Sequence, residues 1–335
     1  MALNSPENFN DEARASLEKI RDQSRALGKD LKFGPTEVMQ AFGEILSIDP
    51  NVPNAQEAIK PILQLALAAE MVPPAAARMV SAMRAAFKGL SNVQAANLLA
   101  KMQSATSLNV SAFGESLSNF AGQAGLRGES PIAAMAAHGT LSRFMVEGSK
   151  AGEHFNIILR GLQETLSDPA KQAAASRLGL SKNQLFKKID GEDNLRSLEE
   201  LLPVLAPYVN RPEIAKLVGN DALSSMQILL KNLPIFNEMM AQFKIERSKG
   251  ADNGAAALQA RVRSEGLTGS LMELQGAFEE LSIKLGDSGL LSEATRAIKS
   301  LEGLVEAIGK LDKQTLSTLT NVGLTLIAAT GALMT

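Results

Sequence analysis

The 335-residue chain contains no cysteine and no tryptophan, one tyrosine (Tyr208) and two histidines (His138 and His154). Each scarcity removes a class of chemistry. Without cysteine there is no disulfide framework, thiolate nucleophile or cysteine-based metal site, which fits a reducing compartment. An aromatic share of 4% leaves little from which to build stacking platforms for bases or sugars. Charge of one sign is lacking as well: 34 basic residues are interspersed with 36 acidic ones, for a formal net charge of -2. Sequence-specific nucleic acid binding is therefore not expected. The start, MALNSPENFNDEAR, reads as neither a secretory signal nor a transit peptide. No segment shows sustained β-branched alternation, and the hairpin-like signal is Asp190-Gly191 within KKIDGEDN.

A hydrophobic share of 45% is enough for a core built from Leu, Ile, Val, Met, Ala and a few Phe. Helix start signals recur at Pro35-Thr36, Ser91 and Asp168-Pro169, each ahead of apolar residues at helical spacing. Gly89, Gly125, Gly179 and Gly219 fall near the opposite ends of such segments, where positive φ is wanted. The expected fold class is all-α: a compact multi-helix bundle followed by longer amphipathic, coiled-coil-like helices. The pattern divides into an N-terminal helix within 1–29 and a helical core over 30–218, which includes a helix at 194–207. A long helix over 219–249 and a flexible joint at 250–255 follow, the joint coming at the end of ERSKGADNG. A heptad hairpin or kinked coil occupies 256–311, and an apolar C-terminal helix, uncharged beyond Lys313, occupies 312–335.

The heptad segment is the most regular part of the chain. Leu271, Leu274, Phe278, Leu281 and Leu285 step by three and four, which puts them on one stripe of a helix. Ile298, Leu301, Val305 and Ile308 repeat that stepping. Between them Gly286-Asp287-Ser288-Gly289 reads as a helix stop and restart, the glycine ending one stripe and Asp287 or Ser288 capping the next. These nine apolar residues form the expected interaction seam. The closing QTLSTLTNVGLTLIAATGALMT is long enough to span a bilayer, yet it carries six threonines, Gln314 and Asn321. A buried or partner-packed helix is the favoured reading, with host membrane contact through 314–335 as the alternative.

Candidate chemistry is sparse. No HExxH, GxSxG or Walker-type motif occurs, and each histidine reads as a solvated or capping residue on a helix. Glu115 in GESLSNFAGQAGL bears a superficial likeness to elements of lytic transglycosylases, but Glu115 stands too close to Gly122, and Gly-Gln replaces the Gly-Ala of that family. It reads as a surface glutamate before a glycine-rich turn. No catalytic, cofactor-binding or metal-binding residue is assigned, and the protein is not expected to be an enzyme.

Several stretches taken in order resemble one family. NVQAANLLAKMQSATSLNVSAFGESL is followed by FMVEGSKAGEHFNIILRGL, in which Gly148, Ser149, Ala151, Gly152 and Arg160 keep the character of a glycine- and serine-containing helical element and Glu153 stands where Thr is usual. LGLSKNQLFKKIDGEDNLRSLEELLPVL, IAKLVGNDALSSMQILL and LMELQGAFEELSIKLGDSGLL continue the series. Over roughly residues 30 to 311 the chain is similar to the conserved region of phage tail tape-measure proteins. The resemblance implies a scaffold in the lumen of the virion tail, present in the host cytoplasm during assembly, whose length sets where the tail tube stops growing and which leaves at infection. Its implied partners are copies of itself, tail tube proteins and tail assembly chaperones. The long coiled coils and hydrophobic spans usual in that family are missing, so the 335 residues read as a truncated portion. The alternative function is a membrane-inserting or peptidoglycan-active delivery protein, using 314–335 or Glu115.

Overall fold

A computed structural model describes residues 33–48, 55–106, 127–146 and 148–265, with single positions between 22 and 31 and between 114 and 125. Start signals in the sequence become helix caps in it. Pro35 opens α1 (Pro35–Ile48), which is followed by α2 (Ala55–Ala69) and α3 (Pro73–Ala86). Ser91 closes a capping box on α4 (Asn92–Ala105): its hydroxyl accepts from the Gln94 amide at 3.1 Å, and the Gln94 side chain accepts from the Ser91 amide at 3.1 Å. Ser130 caps α5 (Pro131–Arg143) in the same manner, its hydroxyl accepting from the Ala133 amide. α6 (Gly148–Gln163) runs into a 3-10 turn at Glu164–Leu166, and Asp168 then caps α7 (Pro169–Arg177) through the amides of Ala170 and Lys171.

A single helical turn at Lys182–Leu185 leads into the strands β1 (Phe186–Ile189) and β2 (Glu192–Leu195), paired antiparallel with Phe186 opposite Leu195 and Ile189 opposite Glu192. Asp190 and Gly191, the sequence's hairpin signal, take φ of 52° and 87°, the two positive values that a two-residue type I′ turn requires. The strands are four residues each and mostly polar, so periodicity did not reveal them. The helix expected at 194–207 accordingly starts later, as α8 (Leu198–Leu205), because residues 192–195 are held in the hairpin. Beyond it come α9 (Pro212–Val218), α10 (Asn220–Lys231), α11 (Leu233–Arg247) and α12 (Ala255–Ser264). The described residues are all-α apart from this hairpin.

The long helix expected over 219–249 is two helices. Asn232, at φ -117° and ψ 35°, breaks the path between α10 and α11, and Pro234 has no amide hydrogen with which to carry the ladder through. The stretch expected to be a flexible joint at 250–255 is tied to the body. The Asn97 side-chain amide donates to the carbonyls of Lys249 and Gly250 at 3.4 and 3.3 Å, Lys60 pairs with Asp252 at 2.8 Å, and the Glu246 carboxylate accepts from the Ala255 amide.

Packing carries the chain back on itself. α12 lies on α2 and α4, and a second ion pair joins Arg263 to Glu70. Residues 60 and 70 thus meet 252 and 263 respectively, so α2 and α12 run side by side in the same direction. α5 and α11 pack on each other, with α4 against α11 and α6 and α10 against α5; α2 packs in turn on α4, and α9 on α6 and α10. One continuous buried cluster extends from Phe33 to Ala260, crossing the boundary drawn at 218. Of the four glycines expected at helix ends, Gly89, Gly179 and Gly219 have positive φ, whereas Gly125 serves close approach instead: a β-carbon there would run into the Ala86 carbonyl.

Candidate interaction surfaces

The seam residues Leu271, Leu274, Phe278, Leu281, Leu285, Ile298, Leu301, Val305 and Ile308 lie outside the described residues, as do Glu115 and the 314–335 segment. The other expected positions, Gly148, Ser149, Ala151, Gly152 and Arg160, all fall on α6. They divide by face. Ala151 and Gly152 are buried with Phe155, Ile158, Leu159 and Leu162 against α9 and α10, while Ser149, Lys150, Glu153 and Arg160 are exposed. Small residues let the backbones come together: at Gly161 a β-carbon would stand 2.5 Å from the Leu217 carbonyl oxygen and 2.9 Å from the Val218 α-carbon. The Arg160 guanidinium is 3.8 Å from Glu164, whose carboxylate also receives the Lys171 ammonium at 2.7 Å. The α6 positions thus supply a packed inner face and a charge-balanced outer one.

Neither histidine is solvated or capping. His138 on α5 is fully buried, with the Ser116 hydroxyl on its Nε2 and the Ser142 hydroxyl 3.5 Å from its Nδ1. Burial pushes its pKa down to about 3, so the ring is neutral at physiological pH. Ser116 and His138 meet as a nucleophile and base would, but both are wholly enclosed, and the pair joins two core segments. His154 is 8% exposed and bonds the Ser225 hydroxyl at 2.7 Å, holding α6 on α10. Its pKa is lowered by burial and by the Lys150 ammonium, against smaller opposing effects of Glu153 and Asp221.

A buried carboxylate escaped the sequence reading. Glu129, 6% exposed, accepts from the Ser130 amide at 3.0 Å and from the Leu198 amide at 2.9 Å, joining the start of α5 to the start of α8. Desolvation raises its pKa to about 7. The two amide bonds and the Lys187 ammonium pull the other way, and the Glu200 carboxylate adds to the rise. Its partner at Leu198 is 69 residues away, so no local motif announces the link.

The described surface also presents isolated large apolar side chains: Met145 at the α5–α6 turn, Ile245 on α11, and Leu258 with Val262 one turn apart on α12. Among the described residues there is no cluster of groups that could hold a metal ion, and no helix long and apolar enough to cross a membrane. A family model described as phage-related minor tail protein matches residues 21–207, more than half of the chain, covering α1 to α8. No curated protein and no solved structure matches the chain.

Proposed function

The chain belongs to the phage-related minor tail protein family, a structural component of the virion tail, and from that premise we propose that it is a tail-assembly scaffold of the tape-measure type. It acts without catalysis, by occupying the tail lumen while tube subunits assemble around it, and it is released at infection. The observation that carries this reading is the family match over 21–207, followed later in the sequence by the apolar heptad stripe at 271–285. Such a stripe buries itself only against a second helix, whether the 298–308 stripe of the same chain, another copy, or a tube or chaperone protein. A helix measures because its rise is fixed at about 1.5 Å per residue.

The test is a change of length. Duplicating residues 271–284 adds two heptads in register, or about 21 Å of helix, and assembled tails measured by electron microscopy should lengthen by about that amount. Tails that assemble at unchanged length would remove the measuring role and leave only a structural one.

A further inference from the structure

Little apolar surface holds α12 on the body. Its buried residues are Ala255, Ala256, Ala257 and Ala260, whereas its larger apolar side chains, Leu258 and Val262, face water at 45% and 73% exposure. Polar contacts supply the rest. The Glu246 carboxylate accepts from the Ala255 amide, and Gln259 donates to the Ala100 carbonyl at 3.0 Å. The ion pairs Lys60–Asp252 and Glu70–Arg263 join side chains that are 30% to 79% exposed. Exposed pairs of this kind contribute little and are screened by salt.

The inner face of α12 also carries the register of the seam. Counted back from Leu285, the stripe Leu281, Phe278, Leu274 and Leu271 continues through Leu267, Ser264, Ala260 and Ala257, alternating steps of four and three without a skip. Ala257 and Ala260 are thus a and d positions of the heptads that later carry leucine and phenylalanine, and both are buried where α12 packs on α2 and α4. Gly266 and Gly269 fall at outward positions of that register, c and f. They favour a helix end after Glu265, where α12 stops, and put nothing between the seam and a partner.

We propose that α12 is a two-state element: its inner face packs on α2 and α4 in the free chain, and joins the seam from Ala257 onward when the seam pairs in parallel with a second copy. This rests on the seam reading above. One face cannot serve both contacts, so pairing along the whole register takes α12 off the body, and the weak apolar hold lets it go. Length and charge select a second copy. As helix, the run from 257 to 285 measures about 42 Å and the chain's own stripe at 298–308 about 15 Å, too short to cover it. In a parallel in-register pair the charged flanking residues Arg261, Arg263 and Lys284 face Ala256, Thr268 and Gly289 of the other copy, so no like charges meet.

The test pins α12 in place. The chain has no cysteine, so Glu70→Cys with Arg263→Cys creates a unique pair that a short bis-maleimide joins. Self-association of the full chain is followed by sedimentation equilibrium, and cross-linked protein is compared with the same variant capped by N-ethylmaleimide. The Kd should be at least tenfold lower for the capped protein. Ala260→Leu crowds α2 and α4 but fits a d position, and should tighten self-association severalfold in the chain without cysteines. Equal Kd values with and without the cross-link, or a folded Ala260→Leu protein that associates no more tightly, would overturn the two-state role and leave the seam standing. A chain that stays monomeric would overturn the inference through its occupant, and would leave the tail-length test of the scaffold reading untouched.

Discussion

Glu129→Gln isolates one buried carboxyl and carries a sign that can be checked. In the unfolded chain the group titrates at its usual 4.5, and in the fold at about 7, chiefly because burial strips it of water. A carboxyl whose folded pKa lies above its unfolded one holds its proton more tightly in the fold. Its stabilisation is fully present below about pH 4.5 and is lost as pH rises through about 7. Integrated from pH 5 to pH 8, the loss is about 2.5 kcal/mol. Glutamine cannot ionise, and it has one acceptor oxygen where two amides, Ser130 and Leu198, now need one each. The variant therefore carries a pH-independent penalty of about 1–3 kcal/mol. His138 and His154 titrate in the opposite sense, their lowered pKa values making the fold less stable below pH 6.5, but they are common to both proteins and cancel in the difference. Urea unfolding of both proteins at pH 5 and pH 8 should show the wild-type advantage shrinking by about 2.5 kcal/mol. A constant advantage would mean that Glu129 keeps its unfolded pKa. An advantage that grows with pH would mean that its two amide bonds and Lys187 outweigh desolvation.

Two further substitutions probe the packing of α6. Gly161→Ala forces a β-carbon against the Leu217 carbonyl and the Val218 α-carbon, so α6 and α9 must separate; thermal unfolding should show a loss of about 1–3 kcal/mol, whereas an unchanged midpoint would contradict the close approach. His154→Ala removes the ring that bonds Ser225, a serine with no exposure, and should cost about 1–3 kcal/mol in urea unfolding; a neutral result would return His154 to the surface role its sequence position implied.

Local rules carried most of the helical reading because they act within one turn. Ser91, Asp168 and Pro35 mark starts through bonds or dihedrals three residues long, and the structure uses all three. The same rules were present at Asn232-Leu233-Pro234, where proline just past an asparagine signals a break, but the apolar residues on either side mask it. The hairpin was legible at its turn and not in its strands, because Asp190-Gly191 is specified by backbone sterics while four-residue polar strands depend on what they pack against. Burial of polar groups was not legible. His138, His154 and Glu129 are ordinary helical or loop residues until Ser116, Ser225 and Leu198 meet them from 22, 71 and 69 positions away.

The parallel course of α2 and α12 bears on how such a chain could measure. Lys60 meets Asp252 and Glu70 meets Arg263, so residues 252 to 263 lie alongside residues 60 to 70. The roughly 190 residues between the paired positions therefore add no net length along the direction in which α12 runs. The buried cluster from Phe33 to Ala260 gives the reason: its apolar side chains stay out of water only while the chain doubles back, and drawing the body into a rod would expose them. With the body folded, the proposed ruler reduces to the sequence beyond residue 265, where a residue inserted into a straight helix would count for about 1.5 Å, whereas one inserted in a surface turn such as 144–146 counts for none. A body that instead unfolds into the tube would make both insertions count equally. Tail length as a function of insertion site thus separates a folded body that anchors a ruler from a chain that is a ruler throughout.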